Sequence, residues 1–319
     1  MAVLIGIDEA GFGPLLGPLV VSSASFSLPA EETDSNLWTL LSRSVTQQKR
    51  RMAGRLLITD SKKAYTRSSG LGQLERTVLA VLSGLGHQPK NLHNLLETVC
   101  PHGCERLGDY PWYQCLQEVP IASVDPDKII AAGALMRDLE KQQMALCDLT
   151  CICLDVAHYN KQIATVRNKS NVLFSTSCQL IQKALESSPA QALTIVVDRQ
   201  GGRIHYRPHL QRMFPQFALT IVHEDDQHSH YRMESNHQNV TLHFRVKADR
   251  DYLPVALASM ASKYLRELLM GCINQYFTGF CADLAPTAGY WQDGQRFLKD
   301  LEIKCPHVQV QRDTLVRCR

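Results

Sequence analysis

The sequence predicts an α/β fold built on one mixed sheet, and three observations carry that prediction. Short β-branched runs alternate with segments of helical period along most of the chain. At the amino terminus, two apolar runs lie on either side of a glycine-rich turn, as the strands of a hairpin do. Three of the strand-like runs stop at acidic residues, which is unusual for segments that are otherwise apolar.

Taken in order, Val3-Leu4-Ile5-Gly6-Ile7 reads as a buried strand, and residues 17–25 as the returning strand of the hairpin. Residues 56–59 form another short apolar run, ending at Asp60-Ser61-Lys62-Lys63. Residues 71–85 carry Leu74, Val78 and Leu82 at helical spacing. Residues 151–156 read as a strand, 171–185 as an amphipathic helix, and 193–197 as a β-branched strand that stops at Asp198. Two further strands are expected at 219–222 and 240–246. The polar stretch around residue 230, dense in His223, His228, His230, His237 and His243, reads as a solvent-exposed loop. From Pro254 to about Tyr276 the chain reads as a long helix, with the proline suited to its first turn. Residues 86–147 break the alternation and are expected to form an inserted subdomain within one large domain.

Composition narrows the classes. Hydrophobic residues make up 45% and charged residues 20%, which excludes a disordered or collagen-like chain. The net charge of +3 neither demands nor excludes a nucleic-acid partner. Residues 3–24 are the most apolar stretch, but Asp8 and Glu9 lie inside it and no basic region precedes it, so a signal peptide is rejected. No apolar run is long enough to span a membrane. A cytoplasmic protein is therefore expected, its 11 cysteines reduced. The spacing of Cys100-Pro101-His102-Gly103-Cys104 and Cys115 misses that of paired zinc ligands, so these read as structural cysteines. Cys147, Cys151 and Cys153 alternate with other residues as on a buried strand edge.

The chemistry is expected at the acids. Asp8-Glu9, Asp198 and Asp249 each follow a strand-like run, and in open α/β sheets ligands gather outside the strand ends. Clustered carboxylates repel one another unless cations neutralise them, and oxygen ligands without His or Cys select Mg²⁺ or Mn²⁺. Two such ions activate a water and stabilise the leaving oxygen of a phosphodiester. Any one of these acids also reads as a solvated strand terminus or a helix cap. Asp8 and Glu9, inside an apolar strand, need a stronger reason. Neighbours on a regular strand face opposite ways, so both reach one site only if the strand ends there, and Gly11 and Gly13 supply that ending.

The run Gly6-Ile7-Asp8-Glu9-Ala10-Gly11-Phe12-Gly13-Pro14-Leu15-Leu16-Gly17-Pro18-Leu19-Val20 resembles the first motif of the type 2 ribonucleases H, the ribonuclease HII family. Asp60-Ser61-Lys62-Lys63 is similar to its D-S-K-K element, and Val197-Asp198-Arg199-Gln200-Gly201 to its third motif. Lys247-Ala248-Asp249, followed by the run from Ala256 to Lys263, resembles the K-G-D and A-A-A-S-I-I-A-K pair in register. Gly289-Tyr290 looks like the late G-Y element.

The resemblance implies a ribonuclease H-like mixed sheet flanked by helices, with a helical C-terminal part. It also implies a monomeric endonuclease that cleaves the RNA strand of RNA–DNA hybrids or the phosphodiester at ribonucleotides in DNA. Asp8, Glu9, Asp198 and Asp249 would be catalytic and would hold two Mg²⁺ or Mn²⁺ ions. The loop Gly11, Phe12 and Gly13 would recognise the substrate, Lys62 its backbone phosphate and Tyr290 its sugar. Three residues depart from the pattern: Phe12 replaces an arginine, Asp251 stands where lysine is common, and Ala248 replaces a glycine. Asp251, at the start of the helix from Pro254, reads either as an acid capping that helix or as a charge that repels the substrate phosphate. Two other readings stay open: a nuclease of this fold acting on structured DNA, and a nucleic-acid-binding protein without turnover.

Overall fold

A computed structural model of the chain describes residues 1–66, 70–122, 125–188 and 192–318. Seven strands form one sheet: β1 (Ala2–Ala10), β2 (Leu19–Leu28), β5 (Ala145–Leu154), β6 (Ala192–Asp198), β7 (Ala218–Glu224), β8 (His228–Glu234) and β9 (Asn239–Arg245). Their spatial order is β5-β2-β1-β6-β9-β8-β7, and β3 (Val45–Thr46) with β4 (Leu56–Leu57) make a separate two-stranded parallel pair. The hairpin partner β2 runs antiparallel to β1, and β5 antiparallel to β2. On the other side, β1, β6 and β9 are mutually parallel, so their carboxyl ends share one edge of the sheet. The register is the feature that makes a site. Ile7 pairs with Val197 and Asp198 with Arg245, which places the acids that follow side by side.

Twelve α-helices lie among the described residues: α1 (Leu37–Leu40), α2 (Ser61–Ala64), α3 (Gly72–Gly84), α4 (Leu92–Val99), α5 (Pro101–Leu107), α6 (Pro126–Lys141), α7 (Val156–Val166), α8 (Lys169–Ser187), α9 (Arg207–Met213), α10 (Leu253–Phe280), α11 (Trp291–Lys304) and α12 (Arg312–Leu315). They cover both faces of the sheet. The two-residue period of β1 sends Val3, Ile5 and Ile7 into a core with α7, α8 and α9, and Leu4 into the core under α10. Burying one such aliphatic side chain contributes about 1.5–3 kcal/mol. Gly6 is required here: a Cβ would collide with the backbone of Pro254 and Val255, so its absence lets the start of α10 lie directly on β1. The expected mixed sheet flanked by helices, with helices after α10, is present.

The stretch 86–147 supplies α4, α5 and α6 to the core beneath α10, and its last residues open β5. Trp112 packs on Tyr276 and Phe277 of α10 at ring separations of 6.0 and 5.9 Å. Among the described residues no helix is long and apolar enough to cross a membrane.

Two expectations need correction. The histidine-bearing stretch is not a loop but the strand β8, pairing antiparallel with both β7 and β9. Its inward side chains Ser229, Tyr231 and Met233 are buried, while His228, His230 and Arg232 alternate outward. Histidines flanking a buried serine hide the two-residue period from a hydrophobicity count. On the outward face His228 Nε2 lies 2.9 Å from His243 Nδ1, and the His230 and His243 rings stack at 4.3 Å. Second, β5 is an edge strand with Cys151 and Cys153 buried as expected, but Cys147 is exposed. Cys100 and Cys104 are buried thiols; Cys100 Sγ accepts the Cys153 N–H at 3.2 Å, and Cys104 Sγ lies 3.5 Å from His93 Nδ1.

Candidate active site

The acids meet where the parallel strands end. Asp8 is 7% exposed at the end of β1, and its Oδ1 accepts the Glu9 N–H at 2.7 Å. Serines of α10 fix this strand end. Ser262 Oγ donates to the Asp8 carbonyl (3.1 Å) and lies 2.7 Å from Ser22 Oγ of β2, while Ser259 Oγ pairs with Ser61 Oγ of α2 (3.1 Å). Asp198 ends β6, and its Oδ1 accepts the Ala248 N–H at 2.7 Å. Lys247, with φ of +57°, turns the chain out of β9 into a 3₁₀ turn, Ala248–Arg250, that carries Asp249. Asp60 caps the first turn of α2, its Oδ1 accepting the Lys62 N–H at 2.9 Å.

Electrostatics ties these groups into one set. Burial, then the charges of Glu9 and Asp198, hold the Asp8 carboxyl well above the usual range. Glu9 is pushed up to about 8 by burial and then by Asp198, with Lys62 opposing. Asp198 is pushed up to about 6 by burial and Asp249, against the Ala248 hydrogen bond and Lys62. Burial and Asp60 raise Asp249. Each acid therefore senses another, and Lys62 lowers the proton affinity of three of them, Glu9, Asp198 and Asp249.

A cleft of about 250 Å³ brings together Glu9, Gly11, Phe12, Gly13, Lys62 and Tyr290, the loop and side chains expected to meet substrate. Ser61, Lys263 and Arg266 complete most of its wall. Tyr290 is 51% exposed, under the Arg266 guanidinium at 5.9 Å from its ring. Phe12 is half-buried, and Lys169 Nζ, at the start of α8, lies 5.2 Å over its ring. A cationic group thus stands beside position 12 although its own side chain carries none. A separate cavity of about 540 Å³, lined by residues such as Arg106, Tyr110 and His158, includes none of the expected site residues.

Asp251 corrects one reading and the sequence missed several contributors. The residue at the cap of α10 is Tyr252, with no side-chain cap bond; Asp251 is exposed, its N–H donating to the Ala248 carbonyl. Asp60 belongs to the D-S-K-K element, yet it raises Asp249 and Asp198 as a further member of the acidic set. Arg266 has a signal, a single arginine among apolar residues of a long helix. Arg317, more than 300 positions from the loop it contacts, has none.

Carboxylate oxygens whose proton affinity is raised by burial and mutual repulsion have the chemistry of a hard divalent-cation site. As the side chains stand, no three acids, imidazoles or thiols among the described residues enclose an ion. Asp8 and Asp198 each spend an oxygen on a backbone N–H.

Fold and site together define a class: an α/β protein whose parallel strand ends gather carboxylates beside a basic, aromatic cleft. Comparison with known proteins finds the following similarities. A ribonuclease HII of Gluconobacter oxydans (strain 621H) is 41% identical over 58 residues, a match that covers 18% of this chain and 28% of that protein. The RNase HII in a PCNA complex from Archaeoglobus fulgidus aligns over 99% of this chain and 94% of its own, at 17% identity and a TM-score of 0.48. The ribonuclease H2 of Pyrococcus horikoshii OT3 aligns over 98% and 92%, at 14% identity and a TM-score of 0.44. No family model matches the sequence. The likeness to type 2 ribonucleases H thus rests on the motifs and on this short aligned segment.

Proposed function

We propose that the chain is a type 2 ribonuclease H, a metal-dependent endonuclease that cleaves the RNA strand of RNA–DNA hybrids or the phosphodiester at ribonucleotides in DNA. The observation that carries this reading is the gathering of Asp8, Glu9, Asp198 and Asp249 at the ends of β1, β6 and β9, with Glu9 opening onto a cleft lined by Lys62 and Tyr290. These four carboxylates would hold Mg²⁺ or Mn²⁺, and the bound ions would supply the Lewis acid and the activated water of phosphodiester hydrolysis. The chain supplies the rest. Lys62, exposed on α2 and close enough to lower the proton affinity of three acids, contacts a phosphate as a hydrated point charge. Tyr290 lays its exposed ring against a sugar. Phe12 offers a face on which a base stacks, with Lys169 beside it for the neighbouring phosphate. Lys263, held by Glu267 at 2.6 Å, keeps one more ammonium at the cleft.

The test is cleavage, with Mg²⁺, of matched duplexes carrying one, several or no ribonucleotides. Cuts confined to ribonucleotide-containing strands support the reading. Equal cutting of the all-DNA duplex transfers the site to another substrate, and tight binding without cuts makes the chain a binding protein.

A further inference from the structure

The loop that lines the cleft is held from beneath by two buried guanidiniums. Arg317, 4% exposed, donates Nη1 to the Gly11 carbonyl (2.5 Å), Nε to the Gly17 carbonyl (2.7 Å) and its backbone N–H to the Leu15 carbonyl (2.9 Å). Arg266, 1% exposed, donates Nη2 to the carbonyls of Leu16 (3.2 Å) and Ala288 (3.1 Å). Gly289 closes the unit, its carbonyl accepting the N–H groups of Leu15 (2.7 Å) and Leu16 (3.1 Å). Only glycine fits at position 11, which has φ of +93° and would place a Cβ 2.6 Å from Arg266 Nε.

Arg317 is an expensive way to hold a loop. Among the described residues it has no carboxylate partner, and its Nη2 has no acceptor. Its guanidinium lies 5.0 Å over the Tyr159 ring, and Arg266 nearby opposes its charge. A buried charge without an ionic partner is costly even when carbonyls solvate it, and an apolar side chain of similar volume often serves stability as well or better. The segment that delivers it is itself strapped to α7. Asn160 Nδ2 donates to the carbonyls of Asp313 (3.0 Å) and Val316 (2.8 Å), and its Oδ1 accepts the Cys318 N–H (2.7 Å).

The peptide geometry gives this arrangement a purpose. In a trans peptide the C=O and the next N–H point opposite ways. Drawing the Gly11 carbonyl inward therefore turns the Phe12 N–H outward, on the side of the loop that lines the cleft. We propose that Arg317 is a positioning residue for substrate binding: it fixes the 11–17 loop from below so that its outward peptide group meets substrate already oriented. What occupies the cleft rests on the ribonuclease reading; the hold on the loop rests on geometry alone.

The experiment compares Arg317→Met and the milder Arg317→Lys with the unaltered chain. It measures the dissociation constant for an RNA–DNA hybrid in Ca²⁺ and amide hydrogen exchange in residues 11–17 and in β6. Losing charge-assisted bonds to two carbonyls should weaken hybrid binding about tenfold and speed exchange in the loop about tenfold, with β6 unchanged and the lysine variant in between. Unchanged loop exchange overturns the proposal, as does faster exchange everywhere, or a looser loop with unchanged affinity. If the unaltered chain binds no hybrid, the ribonuclease reading fails before any variant is compared, and with it the substrate role of the loop.

Discussion

Asp198 at the end of β6 accepts the Ala248 N–H at 2.7 Å, so one candidate ligand holds the turn that carries another, Asp249. The bond spans 50 positions in sequence and two neighbouring parallel strands. It separates two roles of one side chain: its charge and its acceptor oxygen.

Asn at position 198 keeps the acceptor and loses the charge; Ala loses both. In chelator at pH 8, Asp198→Asn should melt no lower than the unaltered protein, because a repelled carboxylate has been removed. Asp198→Ala should be less stable than Asp198→Asn by about 1 kcal/mol, the worth of one partly buried hydrogen bond. Melting curves of the three proteins check this. Equal stability of the two variants would mean that the Ala248 bond does not organise the turn.

The acidic cluster also sets a pH dependence whose sign is worked out from its raised pKa values. Asp8 stands well above the carboxylate range, Glu9 at about 8 and Asp198 at about 6. Between the unfolded carboxylate range and these values the folded chain binds more protons than the unfolded one, so stability falls as pH rises from about 4 to 8. Divalent cations compete with those protons. Added Mg²⁺ should therefore raise the melting temperature by about 2 °C or more at pH 8 and much less at pH 5.5. A larger Mg²⁺ effect at the lower pH would contradict the assignment.

The histidine row on β8 and β9 carries the opposite sign. Burial and neighbouring cations push His228 down to about 4 and His243 to about 3, and His230 is also lowered. Their contribution to stability is full above about 6.5 and is lost as pH falls towards 4. Proton NMR of the imidazoles should show no His243 inflection between pH 5 and 8. A His243 inflection near 6.5 would show that the stacked, partly buried row does not form.

Much of this was legible in the sequence. Central strands buried on both faces announce themselves as apolar runs, so β1 and β6 and the acids that end them were visible, as was α10. The motif resemblance then grouped Asp8, Glu9, Asp198 and Asp249, and the parallel register places them at one sheet edge. What escaped reading depends on partners far away in sequence. β8 hid because its outward residues are histidines, and the short apolar run at 56–59 gives only two strand residues, β4, beside β3. Asp251 looked like a helix cap because acids favour helix starts, yet the turn around Ala248 puts Tyr252 at that position. Arg317 is an unremarkable cation in a polar stretch until the fold delivers it beneath Gly11.

The central claim is that the four carboxylates form one cation-dependent hydrolytic site, and one measurement reaches it most directly: cleavage of an RNA–DNA hybrid by the unaltered chain and by Asp198→Asn across a Mg²⁺ titration. The account predicts no cleavage in chelator, cleavage that rises with Mg²⁺ in the unaltered chain, and a loss of about a thousandfold in the variant at every Mg²⁺ concentration, with the fold intact. Cleavage that persists in chelator, or a variant that cuts at near the unaltered rate, would contradict it.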